Sequence, residues 1–222
     1  MDKMQFYQSL VDFILHKKRS GYALIVGING ADGSGKTMLA GNLSRLLKEA
    51  GYPVCRVSVD GFHHPRKHRY RRGEESPEAY YHDSINYKAF ADKALKPVFK
   101  AQTYPVQCQI KLLDLAQDKE DMRFQDVDEN TVVLAEGVFL FRPEIYPFLH
   151  TTIFVRADFG AILERVKVRD LDTLGSAAKI QERYERKYIP GQKLYFEEIK
   201  PEKLADIVID NTNFESPRII LP

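Results

Sequence analysis

A three-layer α/β fold around a parallel sheet is the architecture this sequence predicts, and three observations predict it. Short apolar runs of strand type alternate with segments of helical periodicity along most of the chain. The strand-like runs are continuously apolar, the pattern of strands covered on both faces. With 222 residues, 44% hydrophobic and 29% charged, the chain suits one large domain over residues 1–222 and falls outside the disordered and collagen-like ranges.

Met4, Tyr7, Leu10, Val11, Ile14 and Leu15 recur at helical spacing, so the chain opens on an amphipathic helix that stops near Gly21. Tyr22 to Asn29 reads as a first strand, and a glycine-rich turn leads into the helical segment MLAGNLSRLLKEAG. Val54 to Asp60 is a second strand, Thr131 to Ala135 a third, Thr151 to Val155 a fourth and Ala205 to Ile209 a fifth. Helical segments fall at Tyr87 to Leu95, Ala161 to Arg169 and Ser176 to Tyr188. Gly61 to Asn130 holds a basic run, a helix and a small strand near Gln107 to Leu113. A stretch of that length needs structure of its own, and it reads as an insertion that builds an acceptor site.

Charge and cysteine content exclude several classes. Lys plus Arg number 33 against 31 Asp plus Glu, a net charge of +2, which gives no global field for nucleic acid or an anionic membrane. Cys55 and Cys108 are too few for a disulfide framework and lack metal-ligand spacing, which points to a reducing, cytoplasmic setting. The opening MDKMQFYQSLVDFILHKKRS fits neither a signal peptide nor a membrane span.

Gly30 to Thr37 reads GADGSGKT, the GxxxxGK[ST] pattern, between an apolar strand and a helix, where its mechanism needs it. In such a loop the backbone of Gly30, Ala31, Asp32, Gly33, Ser34 and Gly35 curls around phosphates. Lys36 reaches the β and γ phosphates, and the Thr37 hydroxyl ligates Mg²⁺. ATP and Mg²⁺ are the expected cofactors, and a glycine turn that binds nothing is the alternative.

In open α/β sheets ligands bind beyond the carboxyl ends of the strands. Asp60 ends VCRVSVD and Glu136 ends TVVLAEG. Phosphoryl transfer to an alcohol needs a proton acceptor and a carboxylate near the metal, so Asp60 is assigned to the acceptor hydroxyl and Glu136 to Mg²⁺; helix capping is the bland alternative for both. Asp210 reads as structural. Residues 63–72, HHPRKHRYRR, carry five basic residues and three of the six histidines. A solvated loop, a wall of the acceptor pocket and a nucleic-acid contact are the readings open there. His63, His64 and His68 lack a plausible zinc partner set. Arg165, Arg169, Arg183 and Arg186 stand on helical segments of a lid over about 161–190. Arg169 is read as facing the phosphates; for the other three, surface ion pairs compete with that role.

The ordered motifs GINGADGSGKT, VSVDGFHHP, VVLAEGVFLF, ILERVKVRD and ADIVIDN over about residues 22–211 resemble the uridine kinase, phosphoribulokinase and pantothenate kinase group of P-loop kinases, above all bacterial uridine kinase-like proteins. The resemblance implies a P-loop fold with a five-stranded parallel sheet in the order 2-3-1-4-5 and a helical lid. It also implies Asp60 as the acid that activates the acceptor, Glu136 at the Walker B position and Arg169 as a lid arginine. Where uridine kinases carry a YDF…HxR pattern, this chain has YPVQCQIKLLDLAQDK, and it lacks their RGR pair after the lid RD. DGFHHP and SPEAYYHD are similar to the DGF and PESYD of pantothenate kinases, which brings Tyr80, Tyr81 and Asp83, with His63, into the expected acceptor site.

The expectation is therefore an ATP-dependent kinase acting on a hydroxyl of a small metabolite, with uridine or a related nucleoside first and pantothenate, a sugar or a polyol as alternatives. A nucleotide-dependent regulatory NTPase and a nucleic-acid-binding ATPase are the competitors, the latter disfavoured by the near-neutral charge. No membrane partner is expected, and a homo-oligomer stays open.

Overall fold

The computed structural model describes residues 2–220. Helix α1 (Lys3–Lys17) starts at Asp2, whose side chain accepts from the Gln5 backbone while the Gln5 side chain accepts from the Asp2 backbone. It buries Phe6, Leu10, Val11 and Ile14, one stripe of the helix. Phe6, not the exposed Met4 expected there, opens that stripe.

Eight strands follow among the described residues: β1 (Leu24–Gly30), β2 (Val54–Ser58), β3 (Val106–Asp114), β4 (Lys119–Val127), β5 (Val132–Gly137), β6 (Thr151–Arg156), β7 (Ile207–Asp210) and β8 (Arg218–Ile220). Six of them form one sheet in the order β2-β5-β1-β6-β7-β8. The first five run parallel, and β8 adds an antiparallel edge beyond the five strands expected. Alternate residues divide between two cores. Val26, Ile28, Leu134 and Ile153 face α1 and α2 (Lys36–Glu49), while Ile25, Val57, Val133 and Phe154 face the opposite layer. Burial on both sides explains why these strands read as unbroken apolar runs. The strand order reverses beside β1, which lies between β5 and β6, and this opens a crevice at the carboxyl ends of the strands.

The segment after β2 is structured, as its length requires. It contains a 3₁₀ turn (Val59–Phe62), a helical turn (Arg66–Arg69), α3 (Pro77–Asp83), α4 (residues 87–99) and the antiparallel hairpin of β3 with β4. Strand β4 was hidden because KEDMRFQDV is largely exposed and carries little apolar alternation. Helix α5 (Phe159–Arg169) is followed, after a short turn, by α6 (residues 177–199). The expected stop of α6 at Tyr188 is overrun by eleven residues, Ile189–Ile199, that include Pro190. A widened π turn at Tyr184–Tyr188 precedes that proline, as another at Ala91–Leu95 precedes Pro97 in α4. Widening the turn admits a residue that lacks an N–H and would otherwise strike the carbonyl four residues back. Among the described residues no helix is long and apolar enough to cross a membrane, and both cysteines are buried and free.

Candidate functional site

The glycine-rich loop joins β1 to α2, and the surrounding chain fixes it from several sides. Gly35 caps α2 at φ +100°, and a Cβ there would lie 2.5 Å from Asn211 Nδ2, so only glycine fits. That same amide donates to the Ser34 carbonyl at 2.7 Å. Gln192 Oε1 on α6 accepts from the Asp32 backbone at 2.7 Å. Arg165 donates to the carbonyls of Asn211, Thr212 and Gly33 and so braces the loop; it makes no ion pair among the described residues.

Lys36 is 7% exposed and donates to the Ala31 carbonyl at 2.7 Å. Burial pulls its ammonium below the usual lysine range, and Asp32, Glu136 and Asp60 oppose that pull. The Thr37 hydroxyl donates to Glu136 Oε2 at 3.2 Å. Glu136 lies within β5, opposite Ile28 of β1 and Ser58 of β2. Burial raises its carboxyl, and Lys36 partly offsets this. Asp60 is not the last strand residue: β2 stops at Ser58, and Asp60 sits exposed in the 3₁₀ turn, its N–H donating to Ser58 Oγ at 3.2 Å. His63 Nδ1 lies 2.8 Å from the Asp60 carbonyl oxygen.

Arg169, at the end of α5, grips Asp32 in a bidentate pair at 3.0 and 3.1 Å and donates to Asp170 and to the Tyr184 hydroxyl. Tyr184 in turn donates to Asp32. Burial would raise the Asp32 carboxyl, but Arg169, Lys36 and Tyr184 outweigh it and hold the group below its ordinary value. Helices α5 and α6 are thus latched to the phosphate loop through a loop carboxylate.

A cavity of about 310 Å³ collects Asp32, Lys36, Thr37, Asp60, Glu136 and Arg169, with His63, Tyr80, Arg69, Tyr70, Lys187 and Tyr188 as its outer wall. A larger space of about 550 Å³ opens from Asp60 and Glu136 toward the hairpin residues Lys111, Asp114 and Arg123. On the other side of the loop an apolar groove of about 720 Å³ runs past Met38, Val168 and Phe214; Met38 and Val168 are 54% and 80% exposed.

Of the expected acceptor residues, Asp60, His63 and Tyr80 reach the cavity. Tyr81 and Asp83 do not line it. Tyr81 is fully buried among Phe139 and Tyr195 with the Arg142 guanidinium 4.8 Å over its ring. Asp83 is buried and paired to Arg71 and Arg72 at 2.5 and 2.9 Å. Four arginines do not converge on one site either: Arg183 pairs with Glu74 and Glu75, and Arg186 with Glu182. In the basic segment, Arg69 pairs with Asp118 at 3.2 Å, so three of its arginines meet carboxylates of this chain. That part of the run is a pocket wall. Arg69, Tyr184, Lys187 and Gln192 were not singled out as site residues; the sequence signal for Arg69 was its place in the basic run, and for the α6 residues there was none beyond helical spacing.

No protein-family model matches the sequence. The chain is 24% identical over 196 residues to a uridine kinase of Yersinia pestis (strain Pestoides F), covering 84% of this chain and 86% of that one. It is 25% identical over 189 residues to a uridine kinase of Chlamydia pneumoniae, with 84% and 81% covered. Among solved structures, one described as a possible uridine kinase from Bacillus stearothermophilus superposes with a TM-score of 0.74 at 25% identity, covering 94% of this chain and 99% of that chain. D-glycerate 3-kinase from Cryptococcus neoformans var. grubii shares the fold at a TM-score of 0.59 and 12% identity, with 97% and 99% covered. In sequence and in fold the chain is thus similar to P-loop kinases of the uridine kinase-like group.

Proposed function

We propose that the protein is an ATP- and Mg²⁺-dependent phosphotransferase that moves the γ-phosphoryl group of ATP to a hydroxyl of a small metabolite. The observation that carries this reading is one cavity in which the loop ammonium of Lys36 meets two carboxylates of different environment, the exposed Asp60 and the buried Glu136. Phosphates fit the loop between Gly30 and Thr37, with Lys36 against the β and γ oxygens. The apolar groove past Met38, Val168 and Phe214 adjoins that loop and suits a nucleotide base.

Thr37 Oγ1 and Glu136 are oxygen donors in hydrogen-bond contact, a set that fits a hard cation such as Mg²⁺. When bound, the ion neutralises charge on the nucleotide phosphates. Asp60 accepts the proton of the acceptor hydroxyl, and His63, bonded to the Asp60 carbonyl, holds the turn that presents it. Arg169 serves the charge that spreads over the transferring oxygens, and the lid it belongs to keeps water out. Uridine is the first acceptor to try, because the curated relatives are uridine kinases; pantothenate, sugars and polyols follow.

Asp60→Asn separates chemistry from binding. It is expected to lower kcat by about 100- to 10,000-fold, the usual worth of a positioned base, while the Kd for ATP, measured by calorimetry, stays within about threefold because Asp60 does not touch the loop. Undiminished transfer in that variant would remove Asp60 from the mechanism.

A further inference from the structure

The cavity holds a second cationic group apart from Lys36. Arg69 and Lys187 both line it, at 8% and 5% exposure, and charges buried to that degree need compensation. Arg69 has only part of one. One of its terminal nitrogens lies 3.2 Å from Asp118 Oδ1, but that carboxylate already accepts twice from the Arg66 backbone, at 2.8 and 3.0 Å. The Arg69 Nε is buried with no hydrogen-bond partner among the described residues.

Lys187 forms no ion pair among the described residues. Its ammonium donates to the Glu74 carbonyl and lies 5.0 Å from the Tyr70 ring centre and 5.5 Å from that of Tyr188. Burial pulls it below the usual lysine range, with the charges of Arg183 and Arg69 adding to the pull and those of Glu75 and Glu74 opposing it. Lys36, by contrast, is offset by Asp32, Glu136 and Asp60. The loop lysine therefore has three carboxylates about it, whereas Arg69 shares the single carboxylate of Asp118 with the Arg66 backbone and Lys187 is paired with none among the described residues. His63, which is bonded to the Asp60 carbonyl and feels the charge of Arg69, stands at the junction of the two groups.

We propose that the phosphoryl acceptor is a small hydroxy compound carrying an anionic group, a carboxylate or a phosphate, which Arg69 and Lys187 bind while its hydroxyl meets Asp60. This rests on the kinase reading above and narrows it away from neutral nucleosides. Charge-assisted bonds to both cations give the affinity, and Tyr70 and Tyr188 exclude the water that would weaken them.

Acceptor pairs that differ in charge test it: glycerate against glycerol, pantothenate against pantothenol, and ribose 5-phosphate against ribose, with uridine as the neutral nucleoside. Phosphorylation is followed with ATP and Mg²⁺, and binding by calorimetry beside a non-hydrolysable ATP analogue. An anionic member should exceed its neutral partner and uridine by about 100-fold in kcat/KM, and the winning pair tells carboxylate from phosphate. Lys187→Met should raise the KM for that compound by about 10- to 100-fold with the KM for ATP within about twofold, and Lys187→Arg should recover most of the loss. The wild-type comparison needs no variant to fold. Preference for uridine or another neutral compound, failure of every anionic member to bind, or an unchanged KM in Lys187→Met would overturn the inference. Binding of an anion that Lys187→Met weakens, with no transfer to it, would uphold the anion site and overturn the kinase reading instead.

Discussion

At the scale of single residues the site turns on how differently two carboxylates are housed. Asp60 stands exposed on a turn, while Glu136 is 5% exposed beside Lys36. A carboxyl whose pKa is raised by burial contributes stability that is complete below its unfolded value, about 4.3, and is lost as pH rises through the raised folded value. Nucleotide-free Glu136→Gln should therefore melt higher than the parent at neutral pH, a gain that vanishes below about pH 4. The same variant should need about 10-fold more Mg²⁺ or beyond for half-maximal activity; thermal melts across pH and a metal titration check both. The loop was legible because only glycine can follow its backbone at Gly35; the two acids were expected at strand ends, and the structure puts both on the cavity but with Asp60 two residues past the end of β2 and Glu136 inside β5. Tyr81 and Asp83 were misplaced because sequence order alone does not say which side of the seven-residue α3 faces a cavity. Lys187 was invisible because its burial depends on Tyr70, more than a hundred residues away.

At the scale of elements, α6 ties the phosphate loop to the sheet. It supplies Tyr184 and Gln192 to the phosphate loop, and Tyr195 lies deeper, its buried hydroxyl accepting from Asn29 Nδ2 at 2.6 Å and from the Phe141 backbone at 3.0 Å. Tyr195→Phe leaves two buried donors short of a partner and should cost about 1–3 kcal/mol, read by denaturant unfolding, with no new contact to offset it. The two proline-tolerant π turns are the reason helix ends were hard to read: Pro97 and Pro190 signal a stop by local rules, and only the packing of α4 and α6 shows that the helices continue. Strand β8 escaped notice for a similar reason, since a three-residue edge strand is set by the neighbour it pairs with, β7, and carries little pattern of its own.

For the whole molecule, the reversal of strand order beside β1 puts the ends of β1, β2 and β5 at one crevice, and the hairpin, α3, α5 and α6 line it. The alternation of apolar strands and helices made this sheet readable, because covering both faces leaves an unbroken apolar signature. The enclosure was not readable, since the walls are polar segments that come together only in three dimensions. The proposed reaction in this crevice is phosphoryl transfer to a small hydroxyl compound. The direct measurement is ADP release by the full chain with ATP and Mg²⁺, without acceptor and then with uridine, cytidine, pantothenate, hydroxy acids, sugars and sugar phosphates. Slow release alone and strong stimulation by one compound, recovered as its phosphate ester, are expected; equally slow release in every case, with ATP bound, would rule this reaction out and point to a nucleotide-dependent regulatory protein.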